Sequence, residues 1–350
     1  NVLDNARDAA EALEIDWEPL AAIADTKTAA SPDAPLVWPE RGSNVAFRTE
    51  VGDREATERA FAQAHRVVKL ELVNQRVVAN YMETRGAIAE PSADGGPMTL
   101  TVSTQGSHTI RNALCDKVLK IPHDHLRVVT GDVGGGFGAK LGPYREYALA
   151  VIAAQQLDRN VAWIADRTEH FLGDAHGRDN VTVAEMALDK DNRFIGLRVD
   201  TVANLGAYLA YFGPFIIANG AGMLPGVYAI PAAHAVQRGV YTHTAPVDAY
   251  RGAGRPEAAY VIERLVDAVA REVGVAPDEL RRINFIPPEA MPYKTATGRT
   301  YDSGEFAGHL ARAQELAGWK GFEKRVKETQ KRGRVRGIGL STYIEACGGV

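Results

Sequence analysis

Three short clusters in this chain carry residue types that could hold a ligand. The sharpest is Gly131-Asp-Val-Gly-Gly-Gly-Phe-Gly-Ala-Lys140. Glycines at this density let the backbone turn sharply and bring its N–H groups close to a bound molecule. A P-loop needs a glycine before the lysine and a hydroxyl after it; Ala139 and Leu141 stand there, so that reading is excluded. Gly134-x-Gly136-x-x-Ala139 does satisfy a loose dinucleotide fingerprint, which would make residues 126–166 an NAD(P)-binding unit with Asp166 as the ribose-binding acid. A glycine-rich turn without a ligand is an equally good reading. The second cluster, Ala249-Tyr-Arg-Gly-Ala-Gly-Arg-Pro-Glu-Ala258, sets two arginines around glycines just before a helix. Free N–H groups at a helix start and forked guanidinium donors suit an anion. The alternative is an ordinary helix entry whose arginine pairs with Glu257 or a neighbour. The third is Ser103-Thr-Gln-Gly106 at a strand end, where Gln105 could serve a ligand or face water. His108, His123 and His125 lack metal-ligand spacing, and no Gly-x-Ser-x-Gly elbow exists. Cys115 falls inside an apolar helix, where a thiol reads as a small core group.

Elements must hold these clusters in place. The pattern predicts a helix over 53–65, extended chain over 67–78, a strand over 98–103, a helix over 107–120 and a strand over 126–130. An apolar helix over 144–157 and a buried strand over 161–165 follow. Residues 181–188 and 194–202 alternate around Asp189-Lys-Asp-Asn-Arg193, a hairpin signal. No period is visible over 206–226. A helix over 256–273 has Pro256 in its first turn and Gly274 just past its end. Residues 287–304 read as loop, a further helix follows, and the basic run 320–336 reads as a solvated connector. Near the termini, 5–14 read as helix, 15–20 as a strand, and 337–345 as the start of another. Both ends look like breaks inside domains, so the expectation is an internal fragment. Helices and strands mix without regular alternation, which predicts an α+β fold.

Composition narrows the partners. The 350 residues carry 40 basic and 44 acidic side chains, a formal charge of −4. No bulk electrostatics points to nucleic acid. No run reaches the roughly 18–20 apolar residues of a membrane span. Two cysteines, Cys115 and Cys347, are too few for an iron–sulfur cluster, which takes about four thiolates.

Taken in series, Ser-Thr-Gln at 103–105, Gly-Gly-Gly-Phe-Gly-Ala-Lys at 134–140 and Ala-Tyr-Arg-Gly at 249–252 resemble the molybdenum hydroxylases, the large subunits of xanthine dehydrogenase, aldehyde oxidase and carbon monoxide dehydrogenase type. Asn74-Gln-Arg76, Met82-Glu83 and Arg85 are similar to the segment before the first motif. Gly252-Ala-Gly-Arg-Pro-Glu257, Arg282-Ile-Asn-Phe-Ile-Pro287 and Tyr301-Asp-Ser-Gly304 look like the branch with separate subunits. The resemblance implies that residues 1–30 end a hammerhead-like domain and 31–44 form a linker. It makes 45–290 the first molybdenum-cofactor domain, and 291–350 a connector and the truncated start of a second.

It also implies a function: carbon hydroxylation with water as the oxygen source, acting on an aldehyde or an N-heterocycle. The cofactor would be molybdenum–molybdopterin in its cytosine dinucleotide form, the metal held by the pterin and not directly by protein. The clusters, 2Fe–2S, and FAD would sit on a small and a medium partner subunit, in a dimer of heterotrimers. The location would be cytoplasmic, with export carried by a partner subunit left open. The general-base glutamate is expected beyond Val350. Gln105, Gly135, Gly136, Phe137, Gly138, Arg251 and Gly252 take cofactor-binding roles by this likeness, Arg251 through its charge near the metal. Leu141 and Ala253 take substrate-pocket positions. Three departures bear on substrate. Gly252 stands where copper-type carbon monoxide dehydrogenases carry cysteine, Ala253 where purine oxidisers carry phenylalanine, and Leu141 where xanthine enzymes carry glutamate. An arginine of xanthine enzymes, expected near Asn219, is missing too. A non-catalytic scaffold derived from the family remains the alternative.

Overall fold

A computed structural model describes residues 2–92 and 95–346. Two sheets organise them. The larger runs β1–β11–β10–β9–β2, with β1 at Val45–Gly52, β2 at Arg66–Asn74, β9 at Asn180–Leu188, β10 at Phe194–Gly206 and β11 at Ala233–Tyr241. β10 and β11 are parallel, and the other neighbours antiparallel. The expected hairpin is β9–β10. Asp189 Oδ1 closes its turn by accepting from the N–H groups of Asp191 at 2.8 Å and Arg193 at 2.9 Å.

Helix α7, Arg255–Val273, packs on one face of this sheet. Val261, Ile262, Leu265, Val266 and Val269 recur at helical spacing and are all buried. Each such side chain contributes on the order of 1.5–3 kcal/mol when fully buried. Helix α6, Gly213–Ala221, and helix α8, Pro277–Asn284, complete this core. α6 lies in the stretch without a visible period. It is apolar on nearly every side, with Ile216, Ile217 and Ala221 buried, so no amphipathic stripe marks it.

The smaller sheet runs β6–β5–β4–β7, with β4 at Gly86–Glu90, β5 at Met98–Val102, β6 at Leu126–Val129 and β7 at Val161–Ile164. Helices α3, Ser107–Ala113, and α4, Arg145–Leu157, form a second core against it. α3 continues as a π-helical stretch over Leu114–Leu119, and Cys115 is fully buried there. β7 is not the buried strand expected. It is an edge strand, and Ile164 is 73% exposed.

The remaining elements are short. Helix α2, Arg54–Ala62, is capped by Asp53, whose carboxylate accepts from Ala56 N–H. Strands β3, Val77–Val78, and β8, His176–Gly177, pair with each other, as do β12, Tyr293–Lys294, and β13, Thr300–Tyr301. Helix α5 spans Arg167–Gly173, α9 spans Phe306–Leu316, and α1 spans Val2–Glu11. The basic run holds a helix, α10 at Phe322–Gln330, and is not merely a connector. Two strand expectations fail. Residues 15–20 are exposed coil, with Trp17 at 77% and Leu20 at 82% exposure, because no described strand offers them a ladder. Residues 337–345 are also irregular. Side chains hold them instead: Glu263 accepts from Thr342 N–H at 2.7 Å, and Arg281 donates to Leu340 O at 3.2 Å. No described helix is long and apolar enough to cross a membrane. Cys347 and Val350 lie outside the described residues.

Candidate functional site

The parallel pair β5–β6 places two loops side by side at the strands' carboxyl ends. After β5 comes Ser103-Thr-Gln105, and after β6 the glycine loop 131–140. They are tied at two points. Lys140 O accepts from Gln105 N–H at 3.0 Å and from Thr104 Oγ1 at 2.8 Å. Gln105 Oε1 accepts from Gly138 N–H at 2.8 Å. A side chain at Gly136 would have its Cβ 2.5 Å from Gln105 Oε1, so only glycine permits this contact.

The third cluster arrives from the other core. Arg251 N–H donates to Phe137 O at 2.8 Å, and a Cβ on Gly138 would lie 2.3 Å from Ala249 O. Gln105, Gly135, Gly136, Phe137, Gly138, Arg251 and Gly252 therefore form one cluster. The Arg251 guanidinium is exposed, lies 5.9 Å from the Phe137 ring centre, and pairs with no carboxylate among the described residues. Glu257 pairs instead with Arg178 at 2.8 Å, so the ordinary helix-entry pairing for Arg251 is not what forms. The N–H groups of Gly135, Gly136 and Phe137 donate to no described atom. Within the glycine loop and the 249–254 loop, two non-glycine residues sit in the left-handed region, Phe137 at φ +51 and Ala253 at φ +49. Such strain persists only where surroundings over-determine it.

Leu141 and Ala253 are half-buried at the edges of the two loops. A cavity of about 290 Å³, reached by residues that flank Leu141, is lined by Ala139, Gly142, Tyr144, Tyr208, Tyr211 and Asp248. Tyr211 packs so closely on Gly142 that a Cβ there would sit 2.8 Å from the Tyr211 Cβ. Burial pushes the Asp248 carboxyl upward, against hydrogen bonds from the Ala249 and Phe212 N–H groups. Asn219 on α6 is met by Arg299, whose Nη2 donates to its Oδ1 at 2.7 Å. A guanidinium does reach that position, from a segment far along the chain.

Sequence reasoning named Glu83 and Lys140 only as members of motifs, did not name Arg178, and assigned none of the three a part in holding the loops. Arg178 follows β8 and donates to Tyr250 O at 3.0 Å, Arg251 O at 2.8 Å and Glu257 Oε1 at 2.8 Å. Lys140 is fully buried and turns back onto Glu83. Burial works to raise the Glu83 carboxyl, but hydrogen bonds from Lys140, Ser103 and Gly134 outweigh it and hold it below the usual range. Burial pulls the Lys140 ammonium down, and Glu83 offsets part of this. The segment 74–85 divides its work. Arg76 binds Asp179 at 2.6 Å, away from the loop, while Arg85 is buried against Asp174 at 2.6 Å and the Tyr144 ring.

The dinucleotide reading fails on geometry. β5–β6 is the one parallel pair in its sheet, and β4–β5 and β4–β7 are antiparallel. The glycine loop ends at turns before α4 and caps no helix. Asp166 does not face it but caps α5, accepting from Glu169 N–H at 2.7 Å.

A family model described as "Molybdopterin cofactor-binding domain" matches residues 37–285. The chain is 34% identical to the carbon monoxide dehydrogenase large chain of Hydrogenophaga pseudoflava, over 98% of this chain and 45% of that one. It is 32% identical to the 6-hydroxypseudooxynicotine dehydrogenase complex subunit gamma of Paenarthrobacter nicotinovorans, over 98% of this chain and 43% of that one. The solved quinoline 2-oxidoreductase of Pseudomonas putida 86 superposes with a TM-score of 0.84 at 32% identity, over 94% of this chain and 42% of the other. The chain thus spans about half the length of the relatives it matches. Its glycine loop, its glutamine and the arginine that no described carboxylate pairs sit within a chain that belongs to the molybdopterin cofactor-binding domain family.

Proposed function

We propose that this chain is the part of a molybdenum hydroxylase large subunit that grips the molybdenum cofactor, in an enzyme that oxidises an aldehyde or an N-heterocycle with water as the oxygen source. One observation carries the reading. Among the described residues, the three consecutive N–H groups of Gly135, Gly136 and Phe137 have no acceptor and Arg251 has no carboxylate partner, and they gather with Gln105. Backbone donors and an unpaired guanidinium fit an anionic, acceptor-rich group such as a pterin-held metal centre. When bound, that cofactor supplies the two-electron redox centre for carbon hydroxylation.

The chain's own residues do the rest. The glycine-loop N–H groups are fixed dipoles for negative charge, and fixed dipoles act without reorganising. Arg251 adds a full positive charge beside them. Gln105 spends Oε1 on Gly138, which leaves its amide N–H groups to donate. A flat or alkyl-bearing substrate suits Leu141 and Ala253, which bring no charge to the edges of the two loops. Carbon monoxide is disfavoured at Gly252. Its φ is +98, and a Cβ would lie 2.3 Å from Pro256 Cγ, so a cysteine ligand has no place there.

The relatives' names, "large chain" and "subunit gamma", support a multi-subunit assembly. The reading therefore extends to 2Fe–2S and FAD on partner subunits, a dimer of heterotrimers, a cytosine dinucleotide pterin and a cytoplasmic location. Residues 45–290 are the cofactor domain, and the general base comes from sequence beyond residue 350. The test is metal analysis and turnover of the full complex, made in a host competent for cofactor synthesis. Molybdenum near one per large subunit is expected, with turnover of benzaldehyde or quinoline and none of carbon monoxide. A complex without molybdenum would leave only a family-derived scaffold.

A further inference from the structure

Behind the glycine loop lies an ion pair that the roles above leave unused, its lysine fully buried and its glutamate half-exposed. Lys140 ends the loop, and its side chain folds back beneath it with no solvent exposure. Its Nζ donates to Glu83 Oε2 at 2.8 Å, to Glu83 O at 3.0 Å and to Ser103 Oγ at 2.8 Å. An ammonium has three N–H donors, and all three are used. The same Glu83 Oε2 accepts from Gly134 N–H at 2.8 Å and from Ser103 Oγ at 2.6 Å. Glu83 N–H returns a bond to Gly134 O at 3.2 Å, and a Cβ on Gly134 would lie 2.4 Å from Glu83 Cβ. Gly134 is thus bound by both the backbone and the carboxylate of Glu83.

The loop is held at two ends by different means. Glu83 fixes Gly134, and Gln105 fixes Gly138. The N–H groups without acceptors, Gly135 to Phe137, lie between these anchors. Burying the Lys140 ammonium against a half-exposed carboxylate costs desolvation that the pair repays only in part, so stability alone is a poor account of it. We propose that Glu83 and Lys140 are positioning residues, which set the direction of the glycine-loop N–H groups and so the loop's hold on its anionic ligand. This rests on the cofactor-binding reading above.

The groups facing Lys140 are Glu83, Ser103 and the Tyr81 ring at 4.4 Å, with Asp174 and Arg85 just behind. Burial already pulls the ammonium down, and Glu83 opposes that. Lys140 makes its bonds protonated and Glu83 makes its bonds ionised, so the hold is lost as pH falls through the Glu83 pKa and as pH rises through the Lys140 pKa. Removing the Glu83 charge moves the second of these losses to lower pH.

The experiment compares the full complex with Glu83→Gln, Lys140→Met, the double variant and Ser103→Ala. Readouts are molybdenum per subunit, hydrogen exchange of residues 131–140, and the pH profile of kcat. Expected are faster exchange at 135–137, molybdenum content lowered several-fold in Lys140→Met, and a kcat drop of about tenfold in Glu83→Gln with KM within about twofold. The basic limb of the Glu83→Gln profile should fall by about one pH unit or more. Ser103→Ala keeps both charges, and smaller shifts in the same direction are expected; it carries the test if Lys140→Met does not fold. Lower stability in every variant, with wild-type exchange, metal content and pH limb, would identify a structural pair only and overturn the proposal. A wild-type complex without molybdenum would remove the cofactor reading and this inference together.

Discussion

At Gly252 two constraints coincide: φ is +98, and Pro256 occupies the space where a side chain would begin. A left-handed backbone costs an ordinary residue about 1–2 kcal/mol before any clash is counted. Gly252→Cys should therefore lower stability by at least that amount in denaturant unfolding and should not create a copper site. Retained stability together with stoichiometric copper would refute the steric account. Arg251→Gln removes a charge that no described carboxylate balances, so little loss of fold stability is expected, within about 0.5 kcal/mol. Its loss should fall on molybdenum content. These residues were legible because their chemistry is local: glycine density, a forked cation and a short amide declare themselves within a few positions. Glu83, Lys140 and Arg178 were not assigned their roles, because each acts on residues far away in the chain, and a lone charge in sequence does not name its partner.

Among elements, the start of α7 depends most on a distant partner. Arg178 spans the turn between β8 and β9 and the loop before α7, and both it and Glu257 are largely buried. Breaking a buried pair by removing one partner costs about 3–5 kcal/mol, because the other charge is left unbalanced. Arg178→Met should approach that range in denaturant unfolding, and Arg178→Met/Glu257→Gln should recover part of it. Equal losses in the single and double variants would show that the charge is not the cause. The Asp53 cap of α2 is a milder case: Asp53→Ala should cost about 1 kcal/mol. Periodicity revealed α7 and α4 because each buries one stripe. It concealed α6, which is apolar nearly all round, and suggested a strand at 15–20, where no described strand offers a ladder. β-pairing is a tertiary choice, and β1, β4 and β11 emerge only once their neighbours are known.

Across the whole molecule, two separate apolar cores supply the site. The smaller-sheet core brings Gln105 and the glycine loop, and the larger-sheet core brings Arg251, with direct contact at Gly138 and Ala249. A ligand gripped from both sides should tie the cores together thermally. Cofactor-loaded complex should unfold in one transition at a higher Tm than the cofactor-free form, by an amount set by mass action. Identical melting of the two forms would contradict a shared grip. The α+β class and the order of motifs were readable from sequence; that the motifs would face one another across two cores was not. The same geometry bears on how such a protein matures. Gln105, Phe137 and Arg251 are all exposed, so the paired loops are open to solvent once both cores have formed. Loading then has no need to precede folding, and an empty chain with both cores formed stays competent to be filled.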